Sequence, residues 1–436
     1  MRKVFAAIVL GVAAGSVRAQ SETRFIQLDT GPGGAFTPMC MSADGSTVAG
    51  PIAVGSGVDA GYVLGRWTLA AGLTAFPRSS VQPTWPATDF PVGLSRDGSI
   101  IGATVGNRQH MAARWSLEHG FEVVPQLDTG SQQTNGVAMS SDGRYMVGTG
   151  STNGGSRAFR ADFVTLSNLN LSNVAPNPTP DRDSGAYALD ATGNKVVGAY
   201  ASQGSLINVP CLWENGTTRT TLNCPPPLAH WFPSRISGDG LVLCGRGDFA
   251  SAPGVLVPFR WSAQAGLELL PTGPLWESAF VQYIDRTGAT FAGGARISNV
   301  DHAVLWLPGE GSTTVDAYCD AHGFVRNGLH FSALTGLSAD GKIALLSGTR
   351  NGVNEAWMLR LPGAIGWCAG DLGGQGGQPS PDGQLDNNDF ITFIAYFFTR
   401  NARADVGKQG GMRGADFQLD NNDFIAFINL FFQGCQ

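Results

Sequence analysis

Leu94–Gly102 reads LSRDGSIIG, and a version of this stretch occurs seven times along the 436-residue chain. The other copies are MSADGSTVAG (Met41–Gly50), MSSDGRYMVG (Met139–Gly148), LDATGNKVVG (Leu189–Gly198), ISGDGLVLCG (Ile236–Gly245), IDRTGATFAG (Ile284–Gly293) and LSADGKIALL (Leu337–Leu346). Their turn glycines, Gly45, Gly98, Gly143, Gly193, Gly240, Gly288 and Gly341, are 53, 45, 50, 47, 48 and 53 residues apart. Such a period identifies a chain built by stacking one supersecondary unit.

Each copy sets an apolar residue, an Asp-Gly or Thr-Gly pair, and then a β-branched or aliphatic run that ends in Gly in six of the seven. Asp and Gly tolerate the positive φ of tight hairpin turns, so the unit reads as two strands around a turn. A second hairpin follows in each period, as in Met111–Leu127, where a strand holding Arg114 and Trp115 turns at Gly120. Four short strands per period predict an all-β, seven-bladed β-propeller.

The seventh period runs through Ala356-Trp357-Met358-Leu359 and stops at Pro362 without a fourth strand. Phe25–Gly31, FIQLDTG, resembles the fourth strand of the second period, where Gln126–Gly130 reads QLDTG. The N-terminal strand is therefore expected to complete the seventh blade and remove an open sheet edge.

Residues 1–19 carry the pattern of a secretory signal: Arg2 and Lys3, an apolar run Val4–Gly15, and Val17-Arg18-Ala19 before the expected cleavage. That run is too short to span a bilayer, so an exported protein without a membrane span is expected, extracellular or at the cell surface. Without Arg2, Lys3 and Arg18, 25 basic residues face 34 acidic ones, a balance of −9 that argues against nucleic acid. The chain has seven cysteines, so at least one is unpaired within it. Cys40 and Cys244 read as small buried residues, Cys211 and Cys224 bracket a hairpin that a bridge would fit, and Cys368 and Cys435 flank the last stretch and are expected to pair.

The repeats, residues 20–362, resemble the HAF family of extracellular repeats. The seventh copy carries the likeness most fully, in Val315-Asp316-Ala317-Tyr318, Leu334–Gly341 and Asn354-Glu355-Ala356-Trp357. The resemblance implies export and a propeller-like fold, with no assigned chemistry. The turns lack the trailing Trp of a sialidase Asp-box.

Residues 363–436 differ in character. Asp371–Phe398 is repeated as Asp405–Phe432, 34 residues on, with LDNNDFI identical in both. Each copy sets an acidic loop before an amphipathic helix, and the two helices are expected to pack through Phe390, Phe397, Phe424 and Phe431. The pair resembles a GC-type dockerin, which ends, as here, in Gly-Cys. The resemblance implies a small α-helical module binding calcium in EF-hand-like loops, through Asp371, Asp382, Gln384, Asp386 and Asp389 in the first and Asp405, Asp416, Gln418, Asp420 and Asp423 in the second. Asp371 to Asp382 and Asp405 to Asp416 are each a step of eleven residues, where the usual loop needs four. Phe417 also stands where such a loop has glycine. Asn387, Asn388, Asn421 and Asn422 either recognise a partner, a cohesin-like or other cell-surface anchoring protein, or cap and solvate the helix starts.

Trp67, Trp115, Trp213, Trp261, Trp306 and Trp357 sit in third strands and read as packing between blades. Trp85, Trp231 and Trp276 lie outside that pattern and are candidate platforms for a glycan, with gap filling between blades as the other reading. The chain has no His-Glu-x-x-His, Gly-x-Ser-x-Gly or phosphate loop, and its six histidines show no metal-ligand spacing. The expected function is a non-catalytic binding or scaffold propeller carried by a calcium-dependent dockerin; the alternative is a glycoside hydrolase or polysaccharide lyase carried the same way.

Overall fold

Seven four-stranded antiparallel sheets are set in a ring. The computed structural model describes residues 25–433, apart from 30, 32–35, 56–60, 77–87, 107–109, 126, 128–132, 174–180, 203–208, 362–369, 375, 379–383 and 415. In the second blade the strands are Phe90–Leu94, Ile100–Val105, Met111–Ser116 and Gly120–Val123, and the quoted stretch is the turn joining the first two. The other blades repeat that order.

The recurring turn is held by one side-chain arrangement in two versions. In five blades a serine hydroxyl donates to the Asp two residues on: Ser42 to Asp44, Ser95 to Asp97, Ser140 to Asp142, Ser237 to Asp239 and Ser338 to Asp340, at 2.5–2.7 Å. In blades 4 and 6 the partners are exchanged, and Thr192 donates to Asp190 at 2.9 Å and Thr287 to Asp285 at 3.0 Å. Either way the oxygen at the earlier position accepts a backbone N–H from the start of the second strand, as with Tyr145 on Ser140 at 2.8 Å and Lys195 on Asp190 at 3.2 Å. The turn glycine closes the unit in the left-handed region, with φ of +70° to +73° in all seven.

The glycine that ends the motif has a different reason. In blades 2 to 6 the first strand carries a β-bulge, between Gly136 and Ala138 in blade 3 for example. In blades 3 to 6 the bulge brings a carbonyl against the second strand: a Cβ at Gly148 would meet the Asn135 oxygen at 1.9 Å, and one at Gly245 the Phe232 oxygen at 2.1 Å, whereas at Gly102 of blade 2 it would meet the Met139 and Met146 side chains. Blade 7 keeps this bulge, between Leu334 and Gly336, and adds a second between Phe331 and Ala333; its close approach is at Gly348, where a Cβ would meet the His330 oxygen at 2.4 Å.

Phe25–Gln27 closes the ring as the outer strand of blade 7, with Phe25 opposite Leu359, Ile26 opposite Met358 and Gln27 opposite Trp357. Phe25 stacks on Phe331 at 5.8 Å and meets Phe324 and Trp357 edge-on. A second closure runs around the axis through the turns. The N–H of Ala43 donates to the Arg96 carbonyl, and Arg96 to Ser141, Ser141 to Ala191 and Ala191 to Gly238 follow. Asp239 to Arg286, Arg286 to Ala339 and Ala339 back to Ala43 complete a cycle of inter-blade backbone bonds at 2.6–3.0 Å.

The third-strand tryptophans pack between blades. The indole N–H of Trp213 donates to the Leu171 carbonyl beyond blade 3, that of Trp306 to Pro271 beyond blade 5, and Trp115 meets Phe76 beyond blade 1 edge-on at 4.5 Å. Trp357 stands outside the register that the other five share. It pairs with Leu346, whereas Leu359 pairs with Ala344 at the position where the other blades place Trp.

Among the described residues Cys40, Cys211, Cys224, Cys244 and Cys319 are free thiols. The bridge between Cys211 and Cys224 is thereby corrected: Cys211 is buried in a third strand and the Cys224 thiol donates to the Leu228 carbonyl. Cys368 and Cys435 lie outside the described residues. No helix among those described is long and apolar enough to cross a membrane.

Candidate functional site

Antiparallel blades put the turns between strands one and two, and three and four, on one face of the ring. The remaining turns and the connections between blades lie on the other. Each face carries a group of chemically capable residues.

On the first face lies the C-terminal module, the helices α2 (Asn387–Phe398) and α3 (Asn421–Gln433) with their loops. Phe393 and Phe427 are fully buried and stack at 4.1 Å with a 5° interplanar angle; Phe390, Phe397, Phe424 and Phe431 flank this pair. The expected interface is present, and its centre is one helical step from the expected residues.

The module is fixed to blades 1 and 2. Arg403, 7% exposed, sits 3.2 Å from Asp44 and bonds the Tyr396 hydroxyl, and the Asn401 amide donates to Asp97 at 2.9 Å. Burial pushes the Asp44 carboxyl up, but the Arg403 charge and N–H and O–H donors from Ser46 and Ser42 override it and hold it below the usual carboxylate value. Phe417 packs its ring on Phe76 at 5.1 Å and on Trp115 at 5.8 Å, with its backbone at φ +64°. The left-handed strain at the site of the missing glycine is offset by this aromatic contact with the seam of the two blades.

The eleven-residue spacing in the second loop also finds its explanation. Gly407–Lys408 and Met412–Arg413 pair as a short hairpin that carries the extra residues outward. The chain then returns so that Asp405 accepts the N–H groups of Asp416 and Phe417 at 3.0 and 3.1 Å. Asp423 accepts from Val406, Gly407 and Asp420, and Asp389 from Leu372, Gly373 and Asp386, all at 2.7–2.9 Å. The two loops thus share one hydrogen-bond pattern. Burial is the main cause that raises the Asp405 carboxyl to about 6, with the neighbouring Asp423 charge adding to it against the nearby Arg66. Burial raises Asp423 as well.

Asp371 is buried, Asp386 caps α2, and Gln384, Gln418 and Asp420 are exposed, while Asp382 lies outside the described residues. Asn387 and Asn421 are exposed. Asn388 donates to Asp386 at 3.1 Å, and Asn422 donates to Asp420 at 3.2 Å and accepts from Gly410 and Gly411. A hard cation suits these loops in donor type, since they offer oxygen alone. Their carboxylates are turned onto backbone N–H groups, and among the described residues they form no group of three with oxygens within 4.8 Å.

Such a group does exist on the opposite face, although the histidines show no metal-ligand spacing along the chain. His302 lies near the start of the third strand of blade 6 (Val300–Leu307), Asp316 on the short helix α1 (Val315–Ala321), and His330 opens the first strand of blade 7 (His330–Leu337). One ligand atom from each lies within 4.8 Å of the others. Asp316 Oδ2 is 2.7 Å from His330 Nδ1, and its Oδ1 accepts the Phe331 N–H at 3.1 Å beside Arg326. His330 Nε2 is 3.0 Å from the Asp301 carbonyl, and the His302 ring meets His330 edge-on at 4.8 Å. Burial, reinforced by His330, holds His302 below the usual histidine value.

Of the candidate glycan platforms, Trp231 is 3% exposed and enclosed by Phe259 and Trp261, so its ring faces are taken by protein. That is a correction toward gap filling, since the Leu222–Phe259 core of blades 4 and 5 surrounds it. Trp276 is half-buried and edge-on to Trp306, and Trp85 lies outside the described residues.

No protein-family model matches this chain, and no curated protein does. Solved structures do. The β-propeller domain of the Trilobed protease from Pyrococcus furiosus, described as having an open velcro topology, is 10% identical over 74% of this chain and 92% of its own, with a TM-score of 0.51. Oligogalacturonate lyase from Vibrio parahaemolyticus is 10% identical over 75% of this chain and 92% of its own, with a TM-score of 0.50. The likeness is one of fold. Here, in contrast to an open velcro, Phe25–Gln27 closes the ring.

Proposed function

We propose that this chain is an exported binding module: a rigid propeller that presents a ligand-binding face and is anchored to a cell-surface partner through its C-terminal module, which takes calcium. The reading rests on the second loop, where Asp405 and Asp423 are buried as neighbours and both carboxyls are raised. Like charges in a desolvated site repel, and a divalent cation removes that penalty. Asp405, Asp423 and Asp416 are the residues that would hold it, with Asp389 the counterpart of Asp423 in the first loop. The duplication supports an anchoring role, because two matched loop-helix units offer a partner two equivalent surfaces.

Calorimetric titration of the full chain with calcium tests this. Saturable binding that weakens at least tenfold in Asp405→Asn is expected, because the amide oxygen still accepts one backbone N–H while the charge is lost. Absence of binding at millimolar calcium would remove the metal-dependent anchor from the reading. Asp389→Ala and Asp423→Ala are less informative, since each also strips three N–H groups of their acceptor.

A further inference from the structure

We infer that His302, Asp316 and His330 form a second metal site, for a first-row divalent transition ion such as zinc, on the face opposite the C-terminal module. Two imidazoles and one carboxylate are a set that favours such ions over calcium, which prefers oxygen alone. Three elements of two blades supply them, and the ligand atoms already lie within 4.8 Å of one another.

The surroundings match what a metal ligand needs. A ligating histidine usually donates its other ring N–H to a carbonyl or carboxylate, which fixes ring and tautomer. His330 has this arrangement: Nδ1 faces Asp316 Oδ2 at 2.7 Å, while Nε2 is held by the Asp301 carbonyl at 3.0 Å. The carboxylate is oriented in the same way, with Oδ1 engaged by the Phe331 N–H and Arg326 and Oδ2 directed at the histidine. His302 supplies the independent observation, for its Nδ1 is buried and has no hydrogen-bond partner. A buried polar atom without a partner is unfavourable, and a cation held among the three residues gives the His302 ring a partner. Entry of the ion releases to solvent the proton held between Asp316 and His330. Three protein ligands leave at least one position of a tetrahedral ion for water or an anionic oxygen of a ligand.

The test uses the full chain, stripped with chelator and then held in excess calcium so that oxygen-only loops are filled. Titration with Co2+ is followed by visible absorption. The expected result is one equivalent with the intense bands of four- or five-coordinate cobalt, displaced by Zn2+, and an affinity at least ~100-fold lower in His302→Phe. His302→Phe removes no protein hydrogen bond through Nδ1, so its melting temperature in chelator is expected to match the parent. Asp316→Asn, which keeps an acceptor for the Phe331 N–H, is the second variant should the first not fold. Cobalt binding with unchanged affinity and spectrum in a folded variant overturns the site. So does a parent that shows only the faint spectrum of six-coordinate cobalt. Either failure leaves calcium binding by the C-terminal loops intact, because that is measured with a different ion and different variants.

Discussion

At the residue scale, the propeller turn is a hydroxyl and a carboxylate two positions apart whose order is free. Ser237 with Asp239 and Asp190 with Thr192 perform the same task in opposite order, because what the turn requires is an oxygen acceptor for the incoming strand and a donor to orient it. Ser237→Asp alone sets two carboxylates face to face at a buried position and is expected to destabilise the protein by about 2 kcal/mol. Adding Asp239→Thr recreates the arrangement of blade 4 and should recover most of that loss in urea denaturation. A double variant no more stable than the single one would show that the exchange is not the reason both versions occur. The same scale explains Phe417, a non-glycine residue at φ +64° whose ring binds the seam of blades 1 and 2. Phe417→Gly relieves the strain and removes the ring. Calcium affinity is therefore expected to hold or rise while protease sensitivity of residues 371–433 increases, and the reverse pattern would mean that the ring serves the loop and not the docking.

At the scale of elements, the strand Phe25–Gln27 is short yet covers the edge of the third strand of blade 7 and lays Phe25 against three aromatic rings. A chain beginning at residue 36 leaves that edge bare. It is expected to melt at a lower temperature and to aggregate on heating, and equal melting temperatures would show that the cycle of inter-blade turn bonds closes the ring unaided. The helices of the C-terminal module differ from the strands in this respect. Their core, Phe393 on Phe427, is formed within the module, but the neighbouring cluster of Ala402, Phe417, Phe76 and Trp115 is shared with the propeller.

At the scale of the whole molecule, the docking of module on propeller is electrostatically poised. Asp405 has its carboxyl raised from 3.8 to about 6 in the folded state, so the folded protein binds that proton more tightly than the unfolded chain. Its contribution is fully present below pH 3.8 and is lost as pH rises toward 6. Asp44 and Asp97 work in the other direction. Burial opposes their ionisation, but Arg403 at Asp44, and the Ser95, Ser99 and Asn401 bonds at Asp97, hold both below 3.8. Their contribution is present above that value and is lost as pH falls through their folded pKa values. In chelator the module is therefore expected to resist undocking best at about pH 4–5, measured by the protease sensitivity of residues 371–433 across a pH series. Added calcium should shift the optimum upward, since the cation binds the ionised carboxylate. An optimum that stays above pH 6 in chelator would place Asp405 outside the docking energetics.

The sequence alone determined the number of blades, the pairing of strands within them, the closing role of Phe25–Gln27 and the duplicated loop-helix units. Each of these is written in local signals: an Asp-Gly or Thr-Gly turn forces its flanking strands together, and a 34-residue displacement aligns two like segments. It also marked the third-strand tryptophans as packing, because alternation along a strand fixes which side chains face a neighbouring blade. The tertiary structure decided what depends on residues distant in the chain. His302, Asp316 and His330 are fourteen residues apart in turn, a spacing with no meaning until α1 folds between blades 6 and 7. Trp231 and Trp357 could not be placed from sequence because a bulge or a two-residue shift in register changes what a ring meets. Nor could Asn401 and Arg403 be linked to Asp97 and Asp44, more than 300 residues away, since charge partners across a docked face leave no periodic trace in the chain.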